Sequence, residues 1–264
     1  MKKLFTALLG MACIGLMTAC TPGEEPENGG NDNNGTGKDK DKTENVTPEQ
    51  MKEKGYALKY TYYTLYGQTQ TAIYSRKGAS TRLDLIYMTD DDEGQPYEAH
   101  HVYIETKDAK GNYTGYGYPN DDDEDVWTDD DYRARQTANN AFAMILDMSE
   151  HFLQHGYEAK GTTEICGRTC NVYEGTYTRG NSMLAVYDEL GTEGKHGSFA
   201  TWNGFALRAK CDVWGYDEET DERTVIGERT TFECNAIQIG IPDDAFTKTL
   251  DVKWFFNPTV FPLP

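Results

Sequence analysis

From Tyr56 onward the chain alternates between apolar and polar positions. In YALKYTYYTLY (56–66), Tyr56, Leu58, Tyr60 and Tyr62 fall on one face while Lys59 and Thr61 take the other, the period-two signature of a half-buried strand. TQTAIYSR (69–76), STRLDLIYM (80–88), EAHHVYIE (98–105) and the weaker NYTGYGY (112–118) continue it. The connectors between them carry Gly and Asp, as hairpin turns do. The period then changes. Residues 129–155 contain neither Pro nor Gly, and Ala138, Ala141, Phe142, Ile145, Met148, Phe152 and Leu153 form an i, i+3, i+4, i+7 stripe. That pattern predicts an amphipathic helix, opened by Asp129–Asp131 and stopped at Gly156, with Asn139-Asn140 as a point where it could divide. Strand patterns return at 161–166, 169–177, 182–189, 198–202, 205–215 and 224–239, with two-residue turns expected at Gly167-Arg168 and Asn203-Gly204. Ahead of all this, Thr47-Pro48-Glu49-Gln50 reads as a capping box with Pro at the first helical position, and Gly55 as that helix's end. The plan is helix, antiparallel strands, helix, antiparallel strands. It predicts an α+β domain over 47–264, a curved antiparallel sheet with helices covering its concave face.

The segment before that domain has a different character. Residues 21–46, TPGEEPENGGNDNNGTGKDKDKTENV, hold almost nothing apolar and cannot offset the entropy of ordering. They read as a tether with an r.m.s. reach of roughly 30 Å. Before them, Lys2 and Lys3 precede an apolar run from Leu4 to Met17, too short to span a bilayer but suited to a signal-peptide core. The run ends in Leu16-Met17-Thr18-Ala19-Cys20. This resembles the lipobox of bacterial lipoproteins, with Met17 where Leu is usual. The resemblance implies cleavage of residues 1–19, acyl chains such as palmitate on Cys20, and membrane attachment through lipid. Thr21 rather than Asp after the cysteine implies outer-membrane sorting. Glu24, Glu25 and Glu27 resemble a surface-export signal or are simply a solvated linker, so both the periplasmic face and the cell surface stay open.

The formal net charge of −19 becomes more negative still when Lys2 and Lys3 leave with the signal. Such a chain repels phosphate backbones, which argues against nucleic-acid binding. It also argues against electrostatic adsorption to anionic lipid.

Of six cysteines, Cys13 leaves with the signal and Cys20 carries the lipid, leaving Cys166, Cys170, Cys211 and Cys234. Four in an exported chain suggest two disulfides, and the spacing is a poor zinc match. Leu207, Ala209, Cys211 and Val213 alternate onto one face, as do Phe232, Cys234 and Ala236. If the two strands joined by the acidic loop 216–223 are hairpin neighbours, Cys211 and Cys234 can bridge, leaving Cys166 and Cys170. A competing arrangement joins Cys170 to Cys211 or Cys234.

Catalytic signals are sparse. His151 and His155 stand i, i+4, but HFLQH is not the H-E-x-x-H of metalloproteases, and His100 and His101 face opposite sides of a strand. No G-x-S-x-G or phosphate-binding loop occurs. The acidic loops at 90–93, 120–125 and 217–222 lack the spacing of a calcium-binding EF-hand. No catalytic residue, metal or cofactor is therefore expected. Eighteen tyrosines and four tryptophans leave room for an aromatic platform that holds a glycan, although Tyr is also simply a good strand residue.

The element order, with E-I-C-G-R-T-C-N-V-Y-E (164–174), T-W-N-G-F-A-L-R-A (201–209) and I-P-D-D-A-F (241–246), resembles the LolA/LppX-like superfamily of lipoprotein carriers. The resemblance implies an open half-barrel whose apolar concavity holds acyl chains or other hydrophobic ligands. Here the cavity is expected to be lined by Leu58, Leu83, Leu85, Leu207 and Val213, with Phe142 and Ile145 as its lid. A chain anchored by its own lipid departs from soluble carriers, which must leave the membrane. The alternative is a surface-displayed module for glycan or protein.

Overall fold

The computed structural model describes residues 46–63, 68–119, 127, 152–178, 193–217, 219–220 and 222–252. It opens with α1 (Pro48–Lys54), set by its cap. Thr47 Oγ1 accepts from the Gln50 amide, Gln50 Oε1 accepts from the Thr47 amide, and Pro48 starts the first turn. Gly55 follows at φ 77, where a β-carbon would lie 2.8 Å from Ile241 Cγ1. Only glycine lets the chain turn from helix to strand against that side chain.

Five strands form a first meander: β1 (Tyr56–Tyr63), β2 (Thr69–Lys77), β3 (Ser80–Asp90), β4 (Pro96–Lys107) and β5 (Tyr113–Tyr118). Five form a second: β6 (Glu158–Ile165), β7 (Arg168–Thr176), β8 (His196–Trp202), β9 (Phe205–Asp217) and β10 (Glu222–Ile239). They join into one antiparallel sheet ordered β5-β4-β3-β2-β1-β10-β9-β8-β7-β6. The first and last strands thus pair in the middle, and β5 and β6 remain as two separate edges. The sheet is open and curved, as the alternation pattern led us to expect, and the described residues are mainly β.

Contacts that skip strands show the curl. The Tyr60 hydroxyl on β1 donates across β10 to the Ala206 carbonyl on β9 at 2.9 Å, and the Tyr56 and Phe205 rings meet edge-on at 5.1 Å. Further round, Cys166 in the β6–β7 turn donates to the Cys234 carbonyl on β10 at 3.1 Å. In a flat sheet those backbones would lie about 14 Å apart, at roughly 4.8 Å per strand. The inner core therefore runs continuously from Leu83 on β3 through Leu58 and Tyr60 to Phe232, Leu207, Phe199 and Cys170.

Of the predicted long helix, only Phe152 and Leu153 are described as helical. Its end behaves as expected: Gly156 has φ 98 and the Tyr157 amide donates to the Phe152 carbonyl, a Schellman-type stop. Phe152 is fully buried against Tyr157, Tyr177 and Phe199. The rest of that helix and the strand expected at 182–189 lie outside the described residues, as do positions 64–66 of the first strand.

Bulges account for the places where simple alternation misleads. On β10, Tyr60 pairs with Cys234 but Lys59 with Ala236, so Asn235 is an extra residue. Side-chain direction flips there: Ile237, not the expected Ala236, joins Cys234 in the inner core. The β6–β7 turn is also one residue earlier than expected. Ile165 pairs with Arg168, which leaves Cys166 (φ 50) and Gly167 (φ 66) as the two loop residues in place of Gly167-Arg168. The Asn203-Gly204 turn is as expected, with Trp202 paired to Phe205. The β9–β10 strands extend to Asp217 and Glu222, so the acidic connection is shorter than 216–223.

The outer face carries a second core that the alternation gave no reason to expect. After β10 the chain doubles back, and Ile241, Ala245, Phe246 and Val252 cover Ala57, Ile73, Val102 and Ile104. A fully buried arginine holds this return segment. Arg82 Nε and Nη2 donate to the two carboxylate oxygens of Asp84 at 2.7 Å each. Nη1 donates to the carbonyls of Ala245 (3.1 Å) and Thr247 (3.4 Å), and Nη2 to that of Thr249 (2.7 Å). These bonds match the guanidinium's five N–H groups.

Candidate ligand-binding face

The expected cavity residues separate into three groups. Leu58, Leu83 and Leu207 are buried within the inner core, where they pack against side chains rather than line open space. Leu85 and Val213 keep partial exposure. Phe142 and Ile145 lie outside the described residues. Phe199, Phe205 and Phe232 belong to the same buried cluster as these three leucines.

What stays accessible on the inner face is a strip across β1–β4. Register places Tyr62, Gln70, Tyr87 and Ala99 in one row, and Tyr60, Ala72, Leu85 and His101 in the next; Tyr60, Ala72 and Ala99 are buried beneath the strip. Tyr62, Leu85, Tyr87, His101 and Tyr103 are each half-buried, and Tyr97 at the outer end is 48% exposed. No Asp, Glu, Lys or Arg belongs to these two rows, although 26% of the chain is charged. Lys59, Arg82, Asp84 and Glu98 of the same strands alternate to the other side; Arg76 and Glu105 fall on the inner face two rows further along, level with Tyr56.

Hydrogen bonds fix the strip's hydroxyls. Tyr62 and Tyr74 share a bond at 3.0 Å. The Tyr87 hydroxyl lies 2.9 Å from His101 Nε2, with the two rings stacked at 5.5 Å. Burial pushes Tyr74 up to about 12. Burial first, then the neighbouring Tyr97 and Tyr103, also raises Tyr87. These phenols therefore stay neutral near pH 7. Such a surface offers ring faces and uncharged hydroxyl groups, which suits an apolar chain or ring bearing a few polar groups.

Other candidates are placed as follows. His100 and His101 face opposite ways: His100 Nε2 lies 2.9 Å from Asp84 Oδ1 on the outer face. The His155 ring meets Tyr177 edge-on at 5.3 Å, and His151 lies outside the described residues. Asp91, in the first acidic loop, accepts from the Glu93 and Gln95 amides and so closes its own hairpin turn. Among the described residues no three His, Cys, Asp or Glu side chains are grouped to hold a metal ion. An open groove of about 460 Å³ lies elsewhere, at the outer end of the β2–β3 hairpin. It is lined by Lys52, Glu53, Lys77, Ser80, Asp243 and Phe246 among others, too polar for an acyl chain.

The cysteines also depart from expectation. Register puts Arg229 opposite Cys211 and Tyr60 opposite Cys234 on their shared strand, so Cys211 and Cys234 are not cross-strand neighbours. All four cysteines are thiols in the structure.

No protein-family model and no curated protein sequence matches the chain. Among solved structures it is similar to MucB in complex with MucA(peri), at 13% identity and TM-score 0.27, covering 75% of this chain and 55% of that one. The chain thus spans about half the length of that MucB chain. It is also similar to an outer membrane lipoprotein-sorting protein domain from Vibrio parahaemolyticus, at 8% identity and TM-score 0.22, covering 74% and 89%. Likenesses this distant carry no functional weight.

Proposed function

We propose that this chain is an exported, membrane-anchored lipoprotein that binds a hydrophobic ligand or lipid on the inner face of a LolA-like half-barrel, without catalysing a reaction. The observation that carries the reading is the uncharged aromatic strip across β1–β4, on the concave side of an open sheet in a strongly acidic protein. Charge on the inner face would penalise an acyl chain by desolvation; tyrosine rings and Leu85 do not. Cys20 would anchor the chain through acyl groups, and residues 21–46 would let the domain reach ligand away from the bilayer.

The test uses the full exported chain carrying Cys20→Ala, so that its own lipid does not interfere. A hydrophobic fluorescent dye should brighten on the native protein, and Leu85→Asp should abolish the signal while leaving the unfolding midpoint within the range of surface substitutions. Dye enhancement that appears only near the unfolding transition would overturn the reading. The second reading, a surface module for glycan, draws on the exposed Tyr97 and the hydroxyl-bearing strip. Retention on an oligosaccharide array with no response to the dye would favour it.

A further inference from the structure

Three of the four thiols gather where the β6–β7 hairpin folds over the inner face. Cys166, exposed at the turn, donates to the Cys234 carbonyl at 3.1 Å. Cys170, buried two residues into β7, is close enough to interact electrostatically with both. Cys166 also occupies an unusual backbone position. It is the first residue of a two-residue turn with φ 50, a place normally taken by Asn, Asp or Gly because a β-carbon is disfavoured there. The left-handed turn is what brings its sulfur over β10. Residues held in such conformations mark functional positions more often than chance.

We propose that Cys166 and Cys234 form a disulfide, a staple that locks the β6–β7 hairpin onto β10 and fixes the curl of the half-barrel. The cysteines are 68 positions apart in the chain, so the bond would join the second meander's outer edge to β10 at the centre of the whole sheet. The chemistry is exchange with an external disulfide, of a protein dithiol oxidase or of oxidised glutathione. The exposed Cys166 thiolate attacks the donor S–S bond, forming a mixed disulfide and releasing one donor thiolate. Cys234 then attacks the Cys166 sulfur and releases the second. Two electrons pass to the donor, and the two protons lost from the cysteines end on its two thiols. The raised affinity of Cys234 for its proton, from burial, and the lowered one of Cys166, from hydrogen bonding to Cys234, fit that order of attack.

In the cell this rests on the export reading, which supplies the oxidant. In vitro it does not, so the two can fail separately. Purified full-length Cys20→Ala chain is reduced, exposed to oxidised glutathione under native conditions, alkylated after denaturation and mapped by mass spectrometry without reduction. The expected result is a cross-linked peptide pair containing Cys166 and Cys234, with Cys170 and Cys211 alkylated. Cys166→Ser should abolish the cross-link and Cys170→Ser should leave it. Adding reductant should lower the urea midpoint of the parent chain but not of Cys166→Ser. Alkylation of all four thiols would overturn the proposal, as would a dominant Cys166–Cys170 or Cys170–Cys234 linkage or any linkage through Cys211. A cross-link formed in vitro but missing from chain isolated from the cell envelope would count against export, not against the pairing.

Discussion

Among the described residues Arg82 is the largest side chain with no solvent exposure, and it tests whether the return segment 241–252 is clamped or merely resting on the sheet. Arg82→Met keeps the aliphatic bulk and removes the charge. Asp84, also fully buried, is then left with His100 as its remaining partner from this network. Breaking a buried ion pair from one side costs about 3–5 kcal/mol, because the surviving charge is uncompensated. The low end, near 3, is expected because His100 Nε2, 2.9 Å from Asp84 Oδ1, stays in contact with the carboxylate. Three carbonyls, of Ala245, Thr247 and Thr249, lose their donor in the same step. Arg82→Met/Asp84→Leu removes both charges and should cost less than the sum of the single changes, with a coupling on the order of 2 kcal/mol or more. Urea unfolding of the Cys20→Ala chain measures all three variants. Hydrogen exchange adds the location: amides of 241–252 should lose protection in Arg82→Met before those of β9 do. A cost below about 1 kcal/mol, the range of exposed ion pairs, or strict additivity in the double variant, would refute the clamp.

Two further outcomes follow from the same physics. Burial raises Tyr56 and Tyr74 from 10 to about 12. The folded state therefore holds these protons more tightly than the unfolded state, and the stability this provides is intact below pH 10 and lost as pH rises through 10 to about 12. Each contributes on the order of 2 kcal/mol, so tyrosinate absorbance should rise together with loss of structure in that window; ionisation of these tyrosines near pH 10 with the fold intact would contradict their burial. Separately, Cys20→Ala should give an exported chain that no longer partitions with membranes. If the variant remains in the membrane fraction after a salt wash, the lipid-anchor reading is wrong.

Much of the fold was legible because one physical rule, period-two alternation, wrote itself into every strand. Tyr56, Leu58, Tyr60 and Tyr62 share the inner face as read, and His100 and His101 do point opposite ways. The α1 cap was legible because its chemistry is local, three residues from donor to acceptor. Alternation says nothing about an extra residue, so Asn235 and the shifted Cys166-Gly167 turn were hidden. The Cys211–Cys234 pairing read from apolar faces fails on register instead, because Cys211 lies opposite Arg229 and not Cys234.

The candidate face was hidden for a different reason. Alternation assigns a residue to a face but cannot say which face gains a second covering. STRLDLIYM reads as an apolar inner row and a polar outer row, so Arg82 and Asp84 look solvated. The return of 241–252 over the outer face buries them instead. One sequence signal was available: two opposite charges at i and i+2 on one strand face, which only pair closely when held by neighbours. On the inner face, Leu58, Leu83 and Leu207, the most apolar positions and so the expected ligand contacts, belong to the buried core. The surface left for a ligand is made of residues that keep a polar tip, the tyrosines and His101, because a wholly apolar side chain left half-open would favour closing the remaining gap. In a curved open sheet a candidate ligand face is therefore sought among uncharged amphipathic side chains beside the core, on β1–β4 here, rather than among the most hydrophobic positions.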